Sequence, residues 1–172
     1  RDGEEETHSH LNEYIRELRL SGCGLGPQTL DGILVHMGKG HTPNLSTLDL
    51  SKNDMSASGA SLSALLSSNL QNLTHLDVSW GGLGGHEADQ FAQALAHTKC
   101  VRSLNLRNNN FGRPRTVDFL SKSLEGNSTL TSLDMRYCSM TETSIFVAAH
   151  GLVGGSNALE RLDIGGNPLG SV

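Results

Sequence analysis

Apolar residues recur along this chain with a period of 28 to 30 residues. In every copy, template positions 1, 4, 6 and 11 are apolar, and position 9 is Asn or Cys in all copies but the third. The six copies start at Ile15, Leu45, Leu73, Val101, Leu130 and Leu159. Because all four apolar slots are filled in all six copies, the pattern predicts six structural repeats rather than a chance similarity.

Each repeat changes its periodicity from that of a strand to that of a helix. The alternation Leu-x-Leu, as at Leu48 and Leu50, predicts a short strand with one face buried. A stripe such as Leu62, Leu65 and Leu66 then follows at helical spacing. Stacking such units predicts an α/β fold, a curved solenoid or horseshoe with parallel strands on the concave face and helices on the convex face.

Position 9 is expected to point inward and to bond the buried backbone of the turns. The residues of this structural ladder are Cys23, Asn53, Asn109, Cys138 and Asn167. We expect both cysteines to be buried thiols with a packing role. Gly81 takes this position in the third repeat, so the ladder is expected to be broken there or completed by water.

The whole pattern resembles the ribonuclease-inhibitor-like leucine-rich repeats over residues 15–170. This class combines full helices with Asn or Cys at the ladder position. The repeats also resemble those of tropomodulin and of CARMIL-type actin regulators, and residues 66–79, LSSNLQNLTHLDVS, resemble the CARMIL type in particular. The resemblance implies a fold whose concave face binds another protein.

The domain organisation follows from where the repeats lie. Residues 1–10 are acidic and nearly free of apolar residues, which predicts a flexible tail or linker. Residues 11–172 form the predicted leucine-rich repeat domain. Since neither end carries a polar capping segment, we expect a fragment of a longer protein that is able to associate end to end.

Composition narrows the function. The formal net charge of −5 argues against nucleic acid as a partner, and no apolar run approaches the ~20 residues of a membrane span. Three widely spaced cysteines favour a reducing, cytoplasmic setting over a disulfide framework or a zinc motif. We find no motif for catalysis, a metal or a cofactor, and therefore predict none.

The predicted partner-binding site lies on outward positions of the concave face. Trp and Tyr occur at non-core positions, with Arg in the neighbouring column, and these residue types are enriched in binding hot spots. The proposed residues are Trp80, Arg107, Arg136, Tyr137, Asp77, Asp134 and His75. A structural alternative is that Trp80 covers the gap left by Gly81. In that case the aspartates that recur at template position 5 form a solvated surface; they are Asp49, Asp77, Asp134 and Asp163.

These observations favour a non-catalytic scaffold for protein–protein interaction. Three other functions occur on similar repeats and stay open at this point. They are an actin-assembly regulator of the tropomodulin or CARMIL kind, the sensor repeats of a NOD-like innate immune receptor, and a GTPase-activating protein of the Ran type. Fold alone does not separate them.

Overall fold

A computed structural model describes residues 13–68, 70–154 and 158–169. Strands and helices alternate along the chain, as the repeat pattern predicts. The strands are β1 (Glu17–Arg19), β2 (Thr47–Asp49), β3 (His75–Asp77), β4 (Ser103–Asn105), β5 (Ser132–Asp134) and β6 (Arg161–Asp163). The helices are α1 (Pro27–His36), α2 (Gly59–Ser67), α3 (Gly85–Ala94), α4 (Pro114–Gly126) and α5 (Glu142–Gly154). The tail expected over 1–10 lies outside the described residues.

The six strands form one parallel sheet in sequence order. Each strand pairs with the next so that equivalent residues are neighbours, as Leu48 is with Leu76 and Leu76 with Leu104. The register therefore reproduces the sequence template, and columns of like positions run across the sheet. The predicted leucine-rich repeat solenoid of about six units is confirmed.

The shared core lies between the sheet and the helices. Leu48 and Leu104 are at most 1% exposed, and Leu76 is 2% exposed. Burial of each such side chain contributes about 1.5–3 kcal/mol. The core is less well covered in the last described repeat, where Leu162 is 40% exposed.

Each asparagine at the ladder position ties its repeat to the previous one. Asn109 Oδ1 accepts hydrogen bonds from the backbone N–H groups of Gly81 and Leu83, at 3.2 and 2.9 Å. Its Nδ2 donates to the carbonyl oxygens of Val78 and Leu106, at 3.0 and 2.9 Å. One amide thus satisfies four backbone groups that would be costly to bury alone. Asn53 and Asn167 make the same kinds of bond.

The two ladder cysteines differ in burial. Cys138 is buried, as predicted, and its thiol donates to the carbonyl oxygen of Leu106 at 3.2 Å. Cys23 is exposed, so the expectation that it is a buried thiol is wrong. The physical reason is that a ladder side chain is covered by the preceding repeat. Among the described residues, no repeat precedes the one that contains Cys23.

Candidate functional site

The residue at template position 8, in the turn after each strand, has a left-handed backbone conformation in all six repeats. These residues, which we call the turn row, are Gly22, Lys52, Trp80, Asn108, Tyr137 and Gly166, with φ from 54° to 70°. Glycine adopts this conformation freely and Asn tolerates it, whereas most L residues lose about 1–2 kcal/mol. Local backbone preference therefore does not account for Trp80 and Tyr137 in this row.

Trp80 is held by a neighbour in the next repeat while its ring stays open to solvent. It is 54% exposed. With the Asn108 amide oriented to satisfy its surroundings, Trp80 Nε1 donates to Asn108 Oδ1 at 3.3 Å. Arg107 Nε donates to the same oxygen at 3.1 Å. Asn108 therefore connects the tryptophan of repeat three to the arginine of repeat four.

Arg107 extends this connection to the fifth repeat. Its Cζ lies over the ring of Tyr137, 5.2 Å from the ring centroid, which is a cation–π contact. Tyr137 is 50% exposed. Trp80, Arg107, Asn108 and Tyr137 together form a continuous surface, which we call the aromatic ridge. Sequence reasoning missed Asn108, although its place between Trp80 and Tyr137 in the turn row was a usable signal.

The space beside Gly81 is filled by Met55. A Cβ built at Gly81 would stand 2.7 Å from Met55 Cε, and Met55 is fully buried. The ladder is therefore broken at Gly81 in its side-chain hydrogen bonds, as expected, while the space itself is filled by the Met55 thioether. The alternative that Trp80 covers this gap loses its main argument, since Met55 already closes it.

The acidic column of the concave face has a local structural use. Asp49, Asp77, Asp134 and Asp163 each accept a hydrogen bond from the backbone N–H two residues later, at 2.9 to 3.1 Å. Asn105 does the same in the fourth repeat. Such bonds stabilise the turn that ends each strand. The column would therefore be selected for folding even without a partner.

Charge is balanced at one end of this column. Arg136 Nε lies 3.0 Å from Asp134 Oδ1 and 3.4 Å from Asp163 Oδ2. Burial acts to raise the pKa of the Asp134 carboxyl, but the hydrogen bonds and charge of Arg136 outweigh it and hold that pKa below its usual value. Arg136 is thus committed to two carboxylates and is a poor anchor for a partner.

At the other end of the column, Arg19 is the register neighbour of Asp49 but pairs with Glu17. Asp49 and Asp77 are register neighbours on adjacent strands. The Asp77 carboxylate accepts from Asn105 Nδ2 at 2.8 Å. Within the described parts of the chain, no Lys, Arg or His forms an ion pair with either residue. Among the described residues, Asp49 and Asp77 are therefore the carboxylates of this column that make no ion pair.

His75 lies apart from the ridge. It is the first residue of β3, whereas Trp80 follows the end of that strand. Its Nδ1 is 2.8 Å from Thr74 Oγ1. His75 lines the trough of about 400 Å³ that runs over the strands, together with the acidic column. The predicted site is therefore split between the trough and the ridge.

A second, wider groove of about 780 Å³ lies beside Trp80. Four glycines and Leu25 line it, together with the polar residues Lys52, Asn53 and Asp54. The glycines leave the backbone open, so an apolar side chain from outside could rest against Leu25 and Trp80. The four glycines are Gly24, Gly26, Gly81 and Gly82.

Other chemistry finds little support in the described residues. No group of three or more His, Cys, Asp or Glu side chains there could hold a metal ion. Burial raises the pKa of the Cys138 thiol to about 11, so it is protonated at neutral pH and is a poor nucleophile. None of the described helices has the length and apolarity that crossing a bilayer requires.

Comparison with known proteins gives three findings. The family model described as "Leucine Rich repeat" matches residues 41–62, 69–85 and 126–143. Tonsoku-like protein of Mus musculus is 42% identical over 89 residues, which cover 50% of this chain and only 6% of that protein. An internalin structure from Listeria monocytogenes has a TM-score of 0.45 and 16% identity, and the match covers 95% of this chain and 52% of the internalin. The family match and the repeated strand-and-helix geometry together support a leucine-rich repeat family for this chain.

Proposed function

We propose that this chain is a non-catalytic scaffold that binds a protein partner through its concave face and the aromatic ridge. One observation carries the proposal. Trp80 and Tyr137 are both about half exposed, and both occupy left-handed positions that glycine fills in two other repeats. These two residues cost conformational energy and do not fill the core, so we infer that their side chains serve binding rather than stability.

The fixed arrangement of the side chains in the aromatic ridge supports the same function. Asn108 and Arg107 hold the two aromatic side chains in place before any partner arrives. Binding then loses less side-chain entropy than it would with free rotamers, which favours affinity. The groove beside Trp80 adds room for an apolar side chain of the partner.

The finer assignments are proposals of the same kind. Repeats of 28 to 30 residues with full helices support the ribonuclease-inhibitor-like subclass over shorter repeat types. Three cysteines without a disulfide support a cytoplasmic location. A net charge of −5 supports a protein partner over nucleic acid.

The test compares variants that keep the backbone of the turn row. Trp80→Asn and Tyr137→Asn are suitable because Asn108 already occupies the same position in repeat four with φ of 55°. Each variant is used as bait for quantitative affinity capture beside the unaltered chain. We expect specific partners to be lost from both variants while their unfolding midpoints in urea do not fall, since Asn tolerates the left-handed backbone better than Trp or Tyr.

Phe146→Gln is the matched control. Phe146 is also an exposed aromatic, at 67%, but it lies on α5 on the helical face. This variant should retain the partners. Retention of the partners by Trp80→Asn and Tyr137→Asn, or unfolding of these two variants, would contradict the proposal. Sedimentation of the unbound chain reports on the end-to-end association expected above.

A further inference from the structure

We propose that Arg107, positioned by Asn108 and Tyr137, is a receptor for a single carboxylate side chain of the partner. This inference rests on the proposed function, because it names the chemistry that one part of the aromatic ridge recognises. It concerns a surface beyond the ends of the strands, and it predicts which side chain of a partner meets it.

The guanidinium is fixed at two points. Its Nε donates to Asn108 Oδ1 at 3.1 Å, and its Cζ lies 5.2 Å from the centroid of the Tyr137 ring. Both contacts leave the two terminal amino groups free, and neither forms an ion pair with a described carboxylate. A planar group held in this way presents a donor fork that matches the two oxygens of a carboxylate.

Arg136 shows what a satisfied arginine looks like in the same column. Its Nε and terminal amino group bond to Asp134, and Nε also lies 3.4 Å from Asp163. Arg107 has no ion pair of this kind with any described carboxylate. It is half-buried. Among the described residues, the buried side-chain atoms without a hydrogen bond do not include the Arg107 amino groups, so a carboxylate of a partner can reach them.

The carboxylates around Arg107 limit how much negative charge a bound anion can carry. Asp134 is near enough for the charge of Arg107 to lower its pKa. Asp77 and Asp163 lie in the same acidic column. A phosphate or a nucleic-acid backbone would bring more negative charge against these carboxylates, whereas one carboxylate matches one free guanidinium. An acidic side chain of a protein is therefore the ligand that fits.

Trp80 indicates what accompanies this acidic side chain. It donates to the same Asn108 oxygen as Arg107, so the two side chains border one another. Trp80 also lines the apolar groove beside Leu25. A partner segment that places its carboxylate on Arg107 can therefore place an aliphatic residue in the groove. The expected recognition element is one acidic residue close to one aliphatic residue.

The test uses short peptides as probes and nuclear magnetic resonance as readout. The first probe is the acetylated and amidated peptide Gly-Leu-Gly-Glu-Gly, the second has Gln in place of Glu, and the third is inorganic phosphate. The signals observed are Arg107 Nε–H and Trp80 Nε1–H in the full chain. We expect the Glu peptide to shift both signals and to bind about tenfold more tightly than the Gln peptide.

Two variants complete the experiment. Arg107→Lys keeps the charge but loses the fork, and should abolish the preference for Glu over Gln. Arg102→Lys changes an exposed arginine just before the start of the same strand and should leave the preference intact. Equal shifts with Glu and Gln, no shift with either, shifts with phosphate alone, or an unchanged preference in Arg107→Lys would each overturn the inference. Such a result leaves the scaffold proposal standing if Trp80→Asn and Tyr137→Asn still lose their partners.

Discussion

The ring of Tyr137 lies directly against the backbone of Gly166, its counterpart in the turn row of the next repeat. A Cβ at Gly166 would collide with Cδ1, Cε1 and Cζ of that ring. The Tyr137 ring is therefore positioned by the contact with Arg107 on one side and by the absence of a side chain at Gly166 on the other.

Gly166→Ala should be more destabilising than Gly22→Ala. Both glycines have left-handed φ, 70° and 64°, so both variants lose about 1–2 kcal/mol from the backbone. Only at Gly166 does the new methyl group meet an aromatic ring, whereas nothing lies within 4 Å at Gly22. The free energies of unfolding from urea titrations measure the difference. In a Tyr137→Asn background, the cost of Gly166→Ala should fall to that of Gly22→Ala, and an unchanged cost would contradict this account.

Met55 and Gly81 should show strong energetic coupling. Met55→Ala alone opens a cavity in the core and should cost about 2–5 kcal/mol. Gly81→Asn alone overpacks the site against Met55 Cε and should cost about 1–3 kcal/mol. The double variant gives the new Asn the space of the lost thioether. We expect it to be at least ~1 kcal/mol more stable than the sum of the single changes. Simple additivity in a double-mutant cycle would show that Met55 does not occupy the ladder space.

Asn109→Ala should destabilise the fold severely. The change removes four hydrogen bonds. It takes the side-chain partner from backbone groups of the third repeat, whereas the Leu106 carbonyl keeps the Cys138 thiol as a donor. The expected loss is about 3–5 kcal/mol in the free energy of unfolding. Asn110→Ala is the matched control, because Asn110 is exposed and adjacent, and it should change stability by less than ~0.5 kcal/mol. Similar losses for the two variants would mean that the ladder contributes little.

Alkaline pH should destabilise the fold through Cys138. Burial raises the pKa of its thiol to about 11 from an ordinary value of 9.0. The unfolded chain loses this proton at lower pH than the folded chain does. The contribution of the protonated Cys138 thiol to the free energy of unfolding is therefore complete below about pH 9. It is lost as pH rises towards about 11. A two-unit difference corresponds to about 2–3 kcal/mol.

Cysteine variants isolate this effect from other groups that titrate at high pH. Cys138→Ala should reduce the fall in stability between about pH 9 and 11, measured by urea titration at each pH. Cys23→Ala should not, because Cys23 is exposed. A thiol reagent should likewise modify Cys23 much faster than Cys138. Equal reactivity, or parallel pH curves for the two variants, would contradict the burial of Cys138.

The candidate site could be predicted only in part. Trp80 and Tyr137 were identifiable because they are aromatic residues at positions where the template needs no apolar side chain. Arg107 and Arg136 looked alike in sequence, yet Arg136 is committed to two carboxylates while Arg107 is not. Pairing across repeats depends on rotamers and on neighbours about 29 residues away, which the template does not specify.

By itself, the sequence determined the repeat. Leucines at fixed spacing have to be buried together, and a stacked strand-and-helix coil is the arrangement that buries them at this period. The strands, their register and the ladder positions follow from that requirement, since each is a local consequence of periodicity.

Only the tertiary structure decided how individual positions within the template are used. It placed Met55 in the space beside Gly81, exposed Cys23, and joined Trp80 to Arg107 through Asn108. These outcomes depend on which repeat lies next to which and on how side chains fill the remaining volume. Periodicity selects a face for each residue, but packing between neighbouring repeats selects its contacts.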